Sequence, residues 1–482
     1  MRPVLLWFRL DLRLIDNPAL RAVVESGAPV VPVFIWSPEE EDPWPPGAAS
    51  RWWLHQSLRS LEQALAEKTS RLVIRRGPAE PAIHDLIRET NAGAVFWNRR
   101  YEPAVIARDA KLKRVLTAEG IETHSFNSAL LFEPWTVSGS TQQPFQIFSA
   151  FWKACLKQPE PAEPLDPPQT WRGPACWPVS LALTELGLEP EIDWAAGMRA
   201  AWTPGEGGAQ KALARFSSSA FEHYSTERNF PARTGTSRLS PHLHFGEIGP
   251  RQIWHALRSG ANNNAAAANA YLREIGWREF AHHLLFHFPF TTNEPLRKEF
   301  AFFPWRNDRN LLKKWRRGRT GYPLVDAGMR ELWATGWMHN RVRMVVASFL
   351  VKDLRISWEE GAYWFWATLV DADLANNTLG WQWTAGCGAD AAPYFRIFNP
   401  VLQSEKFDAS GEYIRRWIPE LARLSAPWIH KPWMASADVL AQAGVELGSN
   451  YPLPVVVHEE ARHAALEAFE RARNSRREAG TF

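Results

Sequence analysis

The stretch at residues 358–400 carries the most informative pattern in the chain and reads WEEGAYWFWATLVDADLANNTLGWQWTAGCGADAAPYFRIFNP. Asp371 and Asp373 stand among apolar residues there. Because an unpaired carboxylate is costly to bury, each needs a polar partner, and a bound polar ligand can supply it. Trp381 and Trp383 are two residues apart, so they cannot share one face of a helix. The pattern predicts a polar ligand site, or alternatively a helical core whose polar groups are satisfied internally.

Composition and charge are those of an ordinary globular protein. The chain has 482 residues, 45% of them hydrophobic, and a formal net charge of +3. This length suits two or three domains, and the charge argues neither for nor against a nucleic-acid partner. No apolar run is long enough to span a membrane, charged residues interrupt the N-terminal apolar run, and the three cysteines lack metal-ligand spacing. We therefore expect a cytoplasmic protein with no membrane contact and no metal site.

Residues 1–135 alternate short apolar runs with amphipathic helical patterns. The apolar runs at 3–8, 29–36, 71–75 and 93–97 read as strands. Helical patterns between strands favour a parallel sheet with crossover helices. No GxGxxG motif follows the first strand, so an ordinary dinucleotide site is not supported. We predict a Rossmann-like α/β domain over residues 1–135.

Residues 136–205 differ in composition because they are rich in proline. Seven prolines fall between Pro159 and Pro178, which excludes a long helix or a central strand. We expect an interdomain connector over this range. From residue 206 to residue 482 the pattern is helical almost throughout, and apolar residues over 342–350 follow the spacing of one helical face. We predict an all-α domain over residues 206–482.

Several separate motifs, in this order along the chain, resemble those of the photolyase/cryptochrome family. They are WFRLDLRLIDNPAL at 7–20, TSRLSPHLHFGEI at 236–248, YLREIGWREF at 271–280, GWMHNRVRMV at 336–345, DADLANNTLGWQW at 371–383 and GADAAPYFRIFNP at 388–400. The resemblance therefore covers nearly the whole chain. It implies an N-terminal domain that carries a light-harvesting antenna and a helical domain that binds FAD.

The family resemblance also implies which residues hold FAD. By themselves, the hydroxyl residues at 236–240 before a predicted helix suit a phosphate group, or alternatively an N-cap. The positions that match flavin contacts of the family are Tyr224, Thr236, Ser237, Arg238, Leu239, Ser240, Arg278, Asn340, Arg343, Asp371, Asp373 and Asn377. Asn377 matches the position that faces the flavin N5, where an amide can donate or accept a hydrogen bond.

A second set of residues matches the family's contacts to damaged DNA. Glu274 and Trp277 are three apart on a predicted helix and so point to one side. They could be a surface acid beside a core tryptophan, but by resemblance Glu274 hydrogen-bonds the damaged pyrimidine pair and Trp277 stacks on it. The remaining matches to the lesion or its backbone are Arg341, Met344, Trp383 and Arg396. The implied catalytic residues are Glu274, Trp277, Met344, Trp383 and Asn377. Such a pocket requires base flipping.

Three tryptophans match the electron relay of the family: Trp381, Trp358 and Trp305. The sequence shows only the residues, and the relay itself is an implication of the resemblance. The resemblance also assigns the photochemistry to the cofactor, whereas the protein positions the lesion.

The antenna positions point to a subclass of the family. The motifs at 52–58 and 97–103 resemble bacterial class III cyclobutane dimer photolyases, a class close to class I. The antenna expected from this resemblance is 5,10-methenyltetrahydrofolate, with a deazaflavin or a second flavin as alternatives. Trp52 and Trp53 could stack on a pterin, although a helix covering the sheet would also use them. Glu102 matches a folate-contact position.

The expected function is therefore light-driven repair of cyclobutane pyrimidine dimers in UV-damaged DNA by a monomer without an obligatory protein partner. Two alternatives are a cryptochrome-type blue-light photoreceptor and a photolyase for the (6-4) photoproduct. Repair of a (6-4) product needs proton transfer, which a histidine near neutral pH suits. In this chain Met344 occupies the position of that histidine, and methionine cannot transfer a proton.

Overall fold

The computed structural model describes residues 1–139, 143–259, 265–394 and 396–479, with side chains up to residue 474. The chain divides into two compact units. The sheet unit comprises Met1–Glu222, Ser237–Pro289 and Val370–Ala375. The helical unit comprises His223–Thr236, Phe290–Leu369 and Asn376–Phe482.

A parallel sheet forms the first part of the sheet unit. Its strands are β1 Val4–Phe8, β2 Val30–Trp36, β3 Val73–Arg76, β4 Ala94–Asn98 and β5 Glu122–Phe126. They pair in the order β3-β2-β1-β4-β5, so that β1 lies at the centre. The central strands β1, β2 and β4 are buried along their whole length, which explains their continuous apolar runs. The predicted α/β architecture is confirmed.

The helices have the following bounds. In chain order they are α1 Pro18–Glu25, α2 Ala48–Glu67, α3 Ala79–Thr90, α4 Pro103–Ala118, α5 Phe148–Cys155, α6 Ala196–Ala201, α7 Glu206–Arg215, α8 Tyr224–Glu227, α9 Ser240–His244, α10 Pro250–Ser259, α11 Ala265–His287, α12 Arg309–Arg316, α13 Pro323–Thr335, α14 Asn340–Ser348, α15 Trp358–Thr368, α16 Leu374–Ala385, α17 Pro400–Phe407, α18 Glu412–Trp417, α19 Ala437–Ala443 and α20 His458–Ala479. Among the described residues, none of them is long and apolar enough to cross a membrane.

Local sequence signals fix the ends of several helices. Asn17 caps α1 by accepting a hydrogen bond from the Leu20 amide at 3.1 Å, and Pro18 occupies the first turn. Asn91 ends α3 in the left-handed conformation at φ 52°, where asparagine is tolerated better than most residues. Helices α3 and α4 bury their apolar faces against the sheet in one core cluster.

The compact units differ from the predicted division at residues 135 and 205. The sheet unit runs on to residue 222 and also takes in α9, α10 and α11. One cause is aromatic packing between α5 and α11, where the rings of Phe148 and Trp277 stack at 3.8 Å. A second is the buried carboxylate of Glu279, which accepts hydrogen bonds from the amides of Leu131 and Phe132 at 3.0 Å. Composition alone cannot reveal such long-range contacts.

The helical unit is built around α13 and α14, which pack against each other. The apolar face predicted over 342–350 is confirmed, because Val342, Val345, Val346, Phe349 and Leu350 are all buried. The helical nature of the C-terminal part of the chain is confirmed as well.

Candidate functional site

The predicted phosphate-binding segment forms a tight turn before α9. Within the sheet unit, Ser240 Oγ donates a hydrogen bond to Asp371 Oδ2 at 2.6 Å. Ser237 Oγ shares a hydrogen bond of 2.7 Å with the hydroxyl of Tyr271. Arg238 has a left-handed backbone, φ 55°, and its guanidinium lies over the ring of Trp202 at 4.2 Å. The side chains of Ser237, Arg238 and Ser240 around Leu239 therefore each contact another residue of the protein.

Asp373 is largely buried in the sheet unit, beside two histidines and near an arginine. Its Oδ2 lies 3.5 Å from His282 Nε2 and 3.8 Å from His244 Nδ1. Burial acts to raise the pKa of Asp373, but His282, His244 and the positive charge of Arg278 outweigh it and hold the pKa well below its usual range. Asp373 is therefore ionised at neutral pH, and a ligand group at this position meets a fixed negative charge.

The two histidines beside Asp373 were not predicted from the sequence. His244 lies on α9 and His282 lies on α11, so no spacing along the chain connects them with residue 373. One signal was available: His282 follows Arg278 by one helical turn, and Arg278 was predicted as a flavin contact. The side chain of Arg278 donates to the carbonyl of Ala129 at 2.6 Å, which anchors α11 to that loop.

In the helical unit, a neutral histidine caps α14. Burial lowers the pKa of His339 to about 4, so its Nδ1 can accept a hydrogen bond from the Arg341 amide at 3.2 Å. Asn340 is exposed at the first position of this helix. Arg343 Nε donates to the carbonyl of Met338 at 2.7 Å. The cap thus fixes the backbone that presents these predicted flavin contacts.

The remaining flavin candidates of the helical unit are Thr236, Asn377 and Tyr224. Tyr224 is buried at the start of α8, with the guanidinium of Arg228 over its ring at 5.2 Å. Asn377 Nδ2 donates to the carbonyl of Ala362 at 3.1 Å. This bond fixes the amide orientation and directs one N–H to the protein, so Oδ1 and the second N–H are available to a ligand.

Glu274 and Trp277 lie on α11 of the sheet unit and are both half-buried. One face of the Trp277 indole is covered by Phe148, at 3.8 Å and 8° between the ring planes. The edge of Phe280 also meets Trp277 at 5.9 Å. The indole is therefore braced from behind, which suits a rigid stacking surface for an aromatic ligand.

The lesion candidates of the helical unit lie on α14, on α16 and in the loop after α16. Arg341 and Met344 are half-buried, and Arg341 Nη2 donates to Asn229 Oδ1 at 2.7 Å. Trp383 is half-buried whereas Trp381 is buried, as expected for residues two apart on a helix. Arg396 is exposed, and its carbonyl accepts a hydrogen bond from the buried Lys352 Nζ at 2.7 Å.

The relay candidates all lie in the helical unit. Trp381 and Trp358 are buried, whereas Trp305 is half-buried. Gly361 lies three residues after Trp358 on α15, and a methyl group there would overlap with the indole of Trp381. Residues three apart on a helix share one face, so Trp358 and Gly361 lie on the same face of α15. The Trp381 indole packs against this face at Gly361.

A further tryptophan near the relay candidates was not predicted from the sequence. The ring of Trp315 is fully buried and lies edge-on to Trp381 at 6.3 Å. It stands inside the basic run KKWRRGR, which gave no sign of a buried position.

The antenna candidates have internal partners in the sheet unit. Trp52 and Trp53 are 1% and 0% exposed, and Trp53 Nε1 donates to Glu247 at 2.8 Å. Their packing matches the alternative of a helix that covers the sheet. Glu102 pairs with Arg100 at 2.8 Å; burial acts to raise the pKa of Glu102, but Arg100 outweighs it and lowers the pKa to about 2. In this arrangement the two indoles offer no exposed ring face to a pterin.

Two family models match the chain. The model described as DNA photolyase matches residues 4–169, and the model described as FAD binding domain of DNA photolyase matches residues 271–471. These matches agree with an α/β region followed by a helical, flavin-binding region.

Relatives and solved structures match nearly the whole chain. A deoxyribodipyrimidine photo-lyase of Agrobacterium fabrum is 49% identical over 97% of both chains. Cryptochrome-1 of Arabidopsis thaliana is 44% identical over 96% of this chain and 70% of its own length. The crystal structure of a bacterial class III photolyase from Agrobacterium tumefaciens superposes with a TM-score of 0.96 at 48% identity, over 98% of both chains.

The parallel α/β region and the helical region with the FAD-binding model together define a two-part flavoprotein. The chain belongs to the DNA photolyase family, which also contains the cryptochromes.

Proposed function

We propose that the protein is a deoxyribodipyrimidine photolyase, which splits cyclobutane pyrimidine dimers in UV-damaged DNA. The observation that carries the proposal is the pair Glu274 and Trp277, which stand half-buried on one face of α11 with the indole braced by Phe148. A rigid indole can stack on a flipped-out pyrimidine dimer, and a carboxyl group one helical turn away can hydrogen-bond its edge. Similarity to the Agrobacterium photolyases supports the same assignment.

The residues that would hold FAD fit its chemistry. In the sheet unit, the Ser237 hydroxyl before α9 can donate to a phosphate oxygen while it accepts from the Tyr271 hydroxyl. The ionised Asp373 and the cationic Arg278 offer charge of both signs. In the helical unit, Asn377 has an oriented amide with Oδ1 available. Reduced FAD, when bound, supplies the light-driven electron for dimer cleavage, and the protein residues position the dimer and exclude water.

Residues of the helical unit have supporting roles in this proposal. Met344 and Trp383 are half-buried and would pack against apolar surfaces of the lesion, while Arg341 and Arg396 would meet its phosphates. Trp381, Trp358 and Trp305 would pass electrons inward when the flavin needs reduction. The antenna we propose is 5,10-methenyltetrahydrofolate, with a deazaflavin or a second flavin as the other outcomes of a chromophore analysis.

A cryptochrome-type photoreceptor is the second candidate function, and the 44% identity to an Arabidopsis cryptochrome supports it. The two functions separate in one assay. The FAD-loaded, reduced protein is mixed with an oligonucleotide that contains one cyclobutane thymine dimer, and repair is followed under blue light and in darkness. We expect light-dependent repair. An inactive protein with full flavin content would support the photoreceptor function.

A further inference from the structure

The turn that follows α14 in the helical unit is wider than an ordinary helical turn. Residues Phe349–Asp353 continue α14 as one π-helical turn, in which the Leu354 amide donates to the carbonyl of Phe349 at 3.0 Å. Single turns of this kind are rare and are frequently found at functional sites. All five residues are buried, and they include the ionisable side chains of Lys352 and Asp353. The turn therefore places two ionisable groups inside the helical unit.

Lys352 bonds the loop between α16 and α17. Its Nζ donates a hydrogen bond to the carbonyl of Arg396 at 2.7 Å and lies 5.3 Å from the centre of the Tyr394 ring. About one turn earlier, at the end of α14, Ser348 Oγ accepts a hydrogen bond from the Phe398 amide at 3.4 Å. Two polar side chains on consecutive turns therefore hold the backbone of this loop at residues 396 and 398.

Tyr394 fixes the same loop from the core. Its ring is buried, stacks on Phe469 of α20 at 4.5 Å and meets the ring of Phe303 at 5.4 Å. The amide of Arg396 donates to the carbonyl of Pro393 at 2.9 Å, which closes a turn of the backbone. Arg396 is exposed, in contrast to Tyr394. The loop thus has a packed tyrosine and an exposed arginine on a backbone that is held at several points.

The burial of the Lys352 ammonium group is costly. Lys352 is 1% exposed, and burial lowers its pKa to about 7, although Asp353 opposes the shift. Asp353 is shared with another partner, because its Oδ1 bonds His458 Nδ1 at 2.5 Å. An apolar residue of similar length would fill the same space without this cost. Departures of this kind from ordinary core packing are expected at functional positions. The bond to Arg396 therefore explains the ammonium group better than packing does.

We propose that Lys352 positions the Arg396 guanidinium for a contact with a phosphate of the DNA backbone. The proposal rests on the proposed function, in which Arg396 meets the phosphates beside the lesion. A loop that is held in its bound conformation before DNA arrives loses less conformational entropy on binding. Lys352 is buried and does not itself touch the DNA. Its removal should therefore weaken binding through Arg396 alone.

The test is the affinity of the FAD-loaded protein for dimer-containing DNA, measured in darkness at several salt concentrations. Each phosphate contact contributes about 0.9 to the slope of log K against log salt concentration, so one lost contact should weaken binding by up to about tenfold at about 0.1 M salt. We expect this loss, and a salt slope smaller by about 1, in both Lys352→Met and Arg396→Gln. Adding Lys352→Met to Arg396→Gln should cause no further loss. Lys111→Met, which removes the same charge from an exposed position on α4, is the matched control and should bind as wild type.

Two further measurements distinguish positioning from a general structural role of Lys352. In Lys352→Met, flavin content and the repair rate at saturating DNA should match the wild type, whereas the DNA concentration for half-maximal repair should rise with the dissociation constant. Urea unfolding should show little change in stability, because the loss of one hydrogen bond is offset by the removal of a buried charge. A lower flavin content, or a lower rate at saturating DNA, would make Lys352 a structural residue and overturn the proposal.

The outcomes separate this proposal from the proposed function. Absence of dimer repair by the wild type would overturn the proposed function itself. If repair is present and Arg396→Gln binds DNA as the wild type does, Arg396 makes no phosphate contact and the positioning role is wrong. If Arg396→Gln weakens binding but Lys352→Met does not, or if the two losses add, the contact stands and positioning by Lys352 is wrong.

A second variant tests the same loop should Lys352→Met fail to fold. Ser348→Ala removes the acceptor of the Phe398 amide. We expect a smaller loss of affinity in the same direction, because the bond of 3.4 Å is long and therefore weak. This loss should also disappear in the Arg396→Gln background. Wild-type affinity in Ser348→Ala, or an equal loss in both backgrounds, would then overturn the proposal.

Discussion

Ser240 Oγ and Asp371 Oδ2 are joined by a hydrogen bond of 2.6 Å that connects residues 131 positions apart within the sheet unit. It links the turn before α9 to the segment Val370–Ala375. Both were predicted to hold FAD, and the bond shows that the protein itself supplies one partner of the buried carboxylate. The two segments therefore form one structure, and disturbing either should disturb the other.

We predict that Asp371→Ala lowers FAD occupancy because it removes the acceptor of Ser240 and frees the turn. The loss of a buried hydrogen bond costs about 1–3 kcal/mol. Ser240→Ala should also lower FAD occupancy, because it removes the donor of the same hydrogen bond. The ratio of flavin to protein absorbance in the purified variants measures this effect. Thr368→Ala, which alters a hydroxyl that bonds its own helix in the helical unit, is the control. Full flavin retention in both test variants would contradict the assignment.

A pair of glycines tests the packing of Trp381. A methyl group at Gly361 on α15 would overlap with the Trp381 indole, whereas one at Gly380 on α16 meets nothing within 4 Å. We predict that Gly361→Ala displaces the indole, costs about 1–3 kcal/mol and slows photoreduction of oxidised FAD. Gly380→Ala should be neutral or stabilising by up to about 1 kcal/mol. Urea unfolding measures the stability of the two variants, and photoreduction of oxidised FAD measures their electron transfer. If Gly361→Ala and Gly380→Ala have the same stability and the same rate, Trp381 does not pack closely against Gly361.

The sequence predicts the packing along single elements better than the contacts between them. The parallel sheet, the buried face at 342–350 and the opposite exposure of Trp381 and Trp383 follow from periodicity, which is a local property. The packing of Phe148 behind Trp277 does not follow from periodicity. Phe148 lies in the proline-rich region 136–205, and the composition of that region predicts only a connector. The same holds for Asp373, whose histidine partners His244 and His282 come from two separate helices and become neighbours only after folding.

The stacking of Phe148 on Trp277 gives a prediction about the lesion pocket. We expect Phe148→Leu to leave α5 folded but to loosen the indole, since it removes the aromatic ring 3.8 Å behind it. Affinity for dimer-containing DNA should fall by about 0.5–1.5 kcal/mol, the usual value of an aromatic pair. Affinity for undamaged DNA should stay unchanged. Filter binding with both DNAs measures the difference, and an equal loss for both would indicate general destabilisation instead.

Glu279 gives a prediction about pH. Burial raises its pKa from 4.5 to about 7, although Arg278 and the amides of Phe132 and Leu131 oppose the shift. A raised pKa in the folded state means that the stabilising contribution is fully present below pH 4.5 and is lost as the pH rises through about 7. We expect the free energy of unfolding to fall by about 3 kcal/mol over this window from Glu279 alone. Urea unfolding at several pH values should show that the free energy of unfolding falls less with rising pH in Glu279→Gln than in the wild type. The same pH dependence in both proteins would contradict a raised pKa of Glu279.

Glu274 and Met344 together decide which lesion the protein repairs. Cyclobutane cleavage needs an injected electron and a group that stabilises the radical anion, and the half-buried carboxyl group of Glu274 on α11 is the candidate for this role through a hydrogen bond to the lesion. Cleavage of a (6-4) product needs a proton donor, and the half-buried Met344 has none to give. We predict light-dependent repair of cyclobutane thymine dimers, none of (6-4) products, and a loss of repair yield of roughly tenfold or more in Glu274→Ala with flavin still bound.

Glu274→Gln keeps a hydrogen-bond donor and should retain more yield than the alanine variant. Repair of both lesions is measured on matched oligonucleotides under blue light, with flavin content determined in each sample. Any (6-4) repair by the wild type would overturn the argument from Met344, and an unchanged yield in Glu274→Ala would remove Glu274 from the reaction.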